Sequence, residues 1–318
     1  MKLLSFSDKA VGIKSGILIN EDVLDINAAT GFLKQKGYKS FPQDIIGLIT
    51  GGEKVKNALN RLCRSLTKFP KDKKRFLKPL KSVKLLPPIP KPNKLLCLAG
   101  NYPEHIAESG FKPADNIENI TPWVFLKPVS NTVIGNNAKI LLPKNGIAID
   151  WEVELGVVIG KKGKYIKSND ANDFIYGYTI INDISERKFN SLMPNRRIRE
   201  RDAFFDWLNG KWCDTFAPIG PWLVTKDEIS DPHNLDIKLR LNGKTMQYSN
   251  TKYMIFNIPK MIEYISSILT LEPGDIIATG TPEGVGMSRN IFLKPGDRME
   301  CEIEGIGILT NRVIKERS

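Results

Sequence analysis

Ile149-Asp150-Trp151-Glu152-Val153-Glu154-Leu155-Gly156-Val157-Val158-Ile159-Gly160 reads as a strand. Side chains alternate across a strand, so Glu152 and Glu154 project to one face while Trp151, Val153 and Leu155 project to the other. On this spacing alone a solvent-facing pair remains open. The flanks, however, are too apolar for an edge lying in water, and burying two carboxylates without a cation is costly. Further along, Gly177-Tyr178-Thr179-Ile180-Ile181-Asn182-Asp183 carries an apolar strand straight into an acid. Asp183 could cap a helix or deliver a third oxygen into a cleft. Three carboxylates with no His/Cys cluster suit a hard cation, Mg²⁺ before Mn²⁺ or Ca²⁺, with water or substrate completing the shell.

Outward from these strands the texture stays β-prone: LLCLAG (95–100), WVFLKP (123–128), KILLP (139–143), LDIKLRLNG (235–243), DIIATG (275–280) and MECEIEGIGILTNRV (299–313). Short strands punctuated by Gly, Pro and Asn predict a mainly β protein with some α, a sandwich or roll rather than a βαβ sheet. The clearest helix beyond residue 90 runs from Pro259 to Leu269, with Pro in its first turn. Upstream, residues 1 to 50 alternate short apolar runs with polar turns. Val55, Leu59, Leu62 and Leu66 then recur at helical steps. Pro87, Pro88, Pro90 and Pro92 stop any helix or central strand. A small α+β N-terminal domain over 1–85 and a catalytic domain over 86–318 are the expected division.

The net charge of +12 has a local origin. Residues 51–95 hold fourteen Lys and Arg against Glu53 and Asp72, which is the entire excess. A solvated helix face is the expected meaning, since no aromatic residues interleave those lysines as single-strand binding requires. The four cysteines, Cys63, Cys97, Cys213 and Cys301, form no C-x-x-C pair, and two histidines cannot complete a zinc site with them. No apolar run approaches a membrane span. The N-terminus lacks a secretory h-region, so a cytoplasmic location is expected.

Seven segments, NYPEHIAESG (101–110), FLKPVSNTVIG (125–135), DWEVELGVVIG (150–160), GYTIINDISER (177–187), KWCDTFAPIGPWLVT (211–225), RLNGKTMQ (240–247) and ATGTPEGVG (278–286), resemble the successive blocks of the fumarylacetoacetate hydrolase family, in family order. The resemblance implies a β-roll catalytic domain preceded by a small N-terminal domain, and a homodimer. It implies that Glu152, Glu154 and Asp183 bind the metal and that Lys211 steadies a developing negative charge. It implies substrate contacts from Arg187, Asn190 (where relatives often carry Gln) and Thr281. His105 and Glu108 match an H-x-x-E pair on a mobile lid, where the two activate water or shuttle a proton. His233, in a turn, is expected to be structural.

The function so implied is Mg²⁺-dependent hydrolysis of a C–C bond in a 2,4-dioxo acid, such as an acylpyruvate, through a metal-bound enolate. Isomerisation, decarboxylation or dehydration of a 2-oxo acid is the alternative from the same chemistry. A different class is a non-catalytic binder of nucleic acid or anionic surfaces through residues 54–94, which the clustering of charge makes the weaker expectation.

Overall fold

The structure, a computed structural model, describes residues 1–7, 12–34, 41–66, 75–113, 118–193 and 195–316. Lys68, Lys71, Lys73 and Lys74 of the basic stretch lie outside them.

Three N-terminal strands, β1 (Lys2–Ser7), β2 (Lys14–Ile19) and β3 (Asp22–Asp25), form an antiparallel meander, to which β4 (Leu77–Pro79) adds at the outer side. Between β3 and β4 the chain folds into helices, among them α1 (Gly52–Leu66). Leu59 and Leu62 of its apolar stripe are buried, as their helical spacing predicts.

Six more strands of the large sheet are β5 (Leu95–Ala99), β6 (Trp123–Leu126), β7 (Val153–Ile159), β8 (Ile175–Asn182), β9 (Ala217–Thr225) and, later in the chain, β12 (Ile276–Ala278), while the short strands Lys84–Leu85 and Val133–Ile134 pair with β1 and β9 to the side. Their order across the sheet is β4-β3-β2-β1-β9-β8-β7-β12-β5-β6. Both β7 and β8 are buried along their whole length, which explains near-continuous apolar runs where one-sided strands would alternate.

A second sheet is built from β10 (Asp236–Leu241), β11 (Lys244–Asn250), β13 (Arg298–Ile303) and β14 (Gly307–Lys315), with Lys139–Leu142 at its far edge. Here burial alternates: Met299, Cys301 and Ile303 point inward between exposed or half-exposed neighbours. Those side chains, with Ile237, Leu239, Leu309 and Val313, share one core with Trp151, Val153, Leu155 and Val157 of the large sheet. Helices are few on this side: α2 (Pro103–Glu108), α3 (Asp202–Asn209), α4 (Ile258–Ile268) and short turns. The expected mainly β architecture is what the chain adopts.

Strand pairing and the apolar core both cross residue 85. β1 pairs with β9 through Lys2↔Val224 and Leu3↔Leu223, so one sheet crosses the boundary. A single apolar cluster contains Leu3, Leu24, Ile26, Leu48 and Leu59 together with Leu95, Val158, Ile181, Ile219 and Ile276. A segment of this size buries little surface by itself and completes its core on its neighbour. All four cysteines are free thiols, with Cys97 and Cys301 buried.

Candidate active site

The register of β7 against β8 builds the acidic centre. Val153 lies opposite Asn182 and Glu154 opposite Ile181, so the first residue beyond β8, Asp183, comes level with Glu152. Its N–H donates to the Glu152 carbonyl at 2.8 Å, and the Asn182 side chain accepts from the Glu152 N–H at 3.0 Å. Glu152, Glu154 and Asp183 are all buried, and one carboxylate oxygen from each lies within 4.8 Å of the others. Trp151, Val153 and Leu155 face the core as alternation requires.

Three buried carboxylates repel one another, and the surrounding groups divide the cost unequally. Burial opposes the Glu152 carboxylate, but Lys211, Arg187 and His105 more than offset this and hold it well below the usual range. Glu154 goes the other way: burial, then Asp183 and Glu152, push it well up. One Glu154 oxygen accepts from the Gly280 N–H at 2.8 Å, while Oε1 is buried with no hydrogen-bond partner. An orphaned carboxylate oxygen facing two other acids fits a divalent cation, which would supply the missing countercharge.

Lys211 is buried, with Nζ donating to Glu152 at 3.1 Å, Asp183 at 2.8 Å and Ser185 Oγ at 3.0 Å. The rings of Phe125 and Trp207 flank that ammonium at 5.0 and 5.4 Å. A second buried lysine, unnoticed in the sequence, completes the frame: Lys127 Nζ donates to Asp183 Oδ1 and to the Ile184 carbonyl at 2.9 Å. Each Asp183 oxygen is thus held by a different ammonium group. The only sequence signal for Lys127 is a lone charge at the end of the apolar run WVFL.

His105 and Glu108 lie on α2, with His105 Nδ1 2.8 Å from Glu108 Oε1. Glu108 Oε2 accepts from the Gly284 N–H at 2.8 Å, docking the helix on the 281–284 loop. Burial works against the Glu108 carboxylate, yet His105, Gly284 and Ser288 hold it below its ordinary value. With Nδ1 engaged by a carboxylate, Nε2 is the nitrogen left to take or give a proton. His105 and Glu152 are close enough to interact electrostatically.

The three expected substrate contacts are placed differently. Arg187 is not an open fork: Nε donates to Asp150 at 2.9 Å and a terminal nitrogen to Glu152. Asp150, wholly buried, requires that countercharge and also accepts from the Gly286 and Met287 N–H groups. Asn190 lines a cavity of about 350 Å³ with Ser185, Arg187, Ile198 and Trp207. Thr281 is buried with its hydroxyl engaged, donating to the Val153 carbonyl at 2.9 Å and accepting from Gln247 at 2.9 Å. Gln247 Oε1 accepts from the Val153 N–H, so this amide ties the 281–284 loop to β7. His233 accepts from the Ile258 N–H at 3.1 Å, at the start of α4.

Residues 94–314 match the model of the fumarylacetoacetate hydrolase C-terminal domain. The chain belongs to the fumarylacetoacetate hydrolase family. It is 38% identical to the mitochondrial oxaloacetate tautomerase Fahd2a of Rattus norvegicus, over 99% of this chain and 92% of that one. The maleylpyruvate hydrolase of Sphingobium sp. SYK-6, solved with manganese(II) and pyruvate, is similar in structure, with a TM-score of 0.75, 31% identity and full coverage of both chains. The 2-hydroxyhepta-2,4-diene-1,7-dioate isomerase of Mycobacterium marinum matches with a TM-score of 0.70, 29% identity and full coverage. Tautomerase, hydrolase and isomerase chemistries thus occur on this family fold, and a relative holds a divalent metal.

Proposed function

We propose that the chain is a Mg²⁺- or Mn²⁺-dependent enzyme that interconverts the enol and keto forms of a 2-oxo acid of the oxaloacetate type. The observation that carries this is the buried triad with one unpartnered Glu154 oxygen, flanked by Lys211 and the His105–Glu108 pair. Similarity over nearly the whole length to a tautomerase favours enol–keto exchange over the hydrolysis expected first.

Glu152, Glu154 and Asp183 would hold the ion. When bound, such an ion supplies Lewis-acid polarisation of the 2-oxo group. Lys127 and Lys211 both hold Asp183 in place through hydrogen bonds, and Lys211 does the same for Glu152. Lys211 also lies where its ammonium can counter negative charge on the substrate oxygen. His105, steadied through Nδ1 by Glu108, takes the enol proton at Nε2 and returns a proton to carbon 3, ending in its starting state. The burial of the triad excludes bulk water from the charged oxygens.

Hydrolysis of an acylpyruvate is the second reading, favoured by the similarity to maleylpyruvate hydrolase. There His105 would take a proton from water attacking the distal carbonyl, and the C–C bond would break to release pyruvate. A homodimer and a cytoplasmic location complete the proposal, although the named tautomerase relative is mitochondrial. Sedimentation and cell fractionation test these two points.

The experiment for the activity compares metal-stripped protein with protein reloaded with Mg²⁺ or Mn²⁺. Enol decay of oxaloacetate and cleavage of an acylpyruvate are followed in parallel. The expected result is reversible loss of turnover on stripping and faster enol decay than cleavage. Full activity in the stripped protein would sink the metal assignment, and cleavage without tautomerisation would replace the first reading by the second.

A further inference from the structure

Two buried polar atoms near the triad have no hydrogen-bond partner and no role in the steps above: the hydroxyl of Tyr102 and Oε2 of Glu283. Tyr102 is the residue on which α2 starts, and its side chain is wholly buried. Glu283 lies between Thr281, tied to β7, and Gly284, whose N–H holds Glu108. Buried polar groups are almost always paired in a native protein, so two orphans in one neighbourhood mark a place built for something else to fill.

The surroundings fix what each group can offer. Burial, then the charges of Glu154 and Glu283, push the Tyr102 phenol far up, so it remains a protonated donor at any working pH. Burial, then Glu104 and Glu108, push the Glu283 carboxyl above its ordinary value, so it keeps its proton further toward neutrality and can donate as well. Tyr102 stands within electrostatic reach of both Glu154, a member of the triad, and Glu283 beneath the lid. Asn101, next to Tyr102, packs on Gly280, whose N–H holds Glu154, so two unpaired donors lie beside the acidic centre.

We propose that Tyr102 and Glu283 form a subsite that receives the far oxygen of the substrate, the 4-carbonyl or 4-carboxylate of a 2-oxo acid, and so set specificity for acids that carry one. The proposal rests on the 2-oxo acid activity above. A site whose buried donors are left unpaired by a shorter ligand discriminates strongly against it.

The test uses the full chain reloaded with Mn²⁺ and two kinds of ligand. Oxaloacetate and acetylpyruvate carry a far oxygen; oxalate, measured as a competitive inhibitor, presents a chelating end without one. Tyr102→Phe is expected to raise KM for the first two about five- to tenfold and to leave the oxalate Ki and the melting temperature unchanged. In the wild type, KM for oxaloacetate should rise with pH as Glu283 loses its proton, and Glu283→Gln, which keeps shape and a donor, should flatten that rise. If Tyr102→Phe weakens oxalate equally, or changes no KM, the subsite is wrong. If Tyr102→Phe proves unstable, a pH profile of KM that is the same in Glu283→Gln and wild type overturns it alone. A wild type inert toward every 2-oxo acid would instead bring down the proposed activity, and the subsite with it.

Discussion

At the level of single residues, the acidic centre is costly to bury without a countercharge. Glu154 lies buried beside Glu152 and Asp183, and burial, then the charges of Asp183 and Glu152, push its carboxyl well up, so a third charge there is poorly tolerated. Glu154→Gln keeps the shape and removes that charge, so the metal-free variant should melt higher than metal-free wild type. Its metal affinity should fall by more than the roughly 10–100-fold typical of a lost supporting residue. Calorimetry with Mn²⁺ and a melting curve check both signs together; an unchanged affinity would remove Glu154 from the ligand set. Lys127→Met should act differently, because it strips one of two ammonium groups from Asp183. Breaking a buried pair leaves a charge uncompensated, at a cost of about 3–5 kcal/mol. Metal affinity should drop about 10–100-fold, with Lys127→Arg recovering part of it; a variant as stable and as tight as wild type would make Lys127 a bystander. The triad was legible because alternation put two acids on one face within an apolar run. Lys127 was not, since a lysine ending an edge strand has the same local pattern whether it is buried or solvated. Arg187 was legible as a site residue and not as a partner of Asp150, because that pairing needs the 150s and 180s brought side by side.

The secondary elements matter through their ends. α2, carrying His105, is fixed at its root by Asn101, whose side chain donates to the Phe256 and Thr279 carbonyls at 3.1 and 2.8 Å and accepts from the Phe256 N–H. The 254–258 segment that Asn101 grips leads into α4, and there His233 accepts the Ile258 N–H. His233 can accept only while Nε2 is unprotonated. Burial lowers its pKa below 6.5, with Asp231 opposing. A depressed histidine contributes stability that is whole above the unfolded value, about 6.5, and is lost as pH falls below it toward the folded value. The melting temperature should therefore decline between pH 7 and 5 in the wild type, and less in His233→Gln, whose amide oxygen can still accept. Equal declines in both would assign the acid sensitivity elsewhere. The helical period and Pro259 made α4 readable in advance, and His233 was rightly placed in a turn. Its cap on a helix starting 25 residues later was beyond any local pattern.

For the whole molecule, the informative feature is the seam at residue 85. Proline spacing and a change in composition pointed to a boundary, and local signals of that kind carry no information about which strand edges meet. The N-terminal meander closes the β9 edge of the large sheet, and the Met1 ammonium reaches Thr225 at 2.7 Å and Glu228 at 2.7 Å. Part of the basic stretch is also spent on this contact, since Lys56 pairs with Asp227 at 3.0 Å; Lys94, beyond the seam, pairs with Asp275 at 2.9 Å. A fragment of residues 86–318 would leave an apolar sheet edge open at β9 and uncover Leu223, Ile219, Leu95 and Ile276, which now share a core with Leu3, Leu24 and Leu59. Exposed edges of this kind associate with one another, and the uncovered apolar surface adds to the penalty. The fragment should therefore be aggregation-prone and melt well below the full chain, even though it contains the whole triad and the His105–Glu108 pair. Co-expression of residues 1–85 as a separate chain should restore solubility and metal binding. Size-exclusion profiles and melting curves of the fragment, the pair and the intact protein decide the matter. A monodisperse 86–318 fragment with undiminished stability would mean that the shared core holds the N-terminal segment without depending on it, and that the two parts fold as the independent domains the prolines announced.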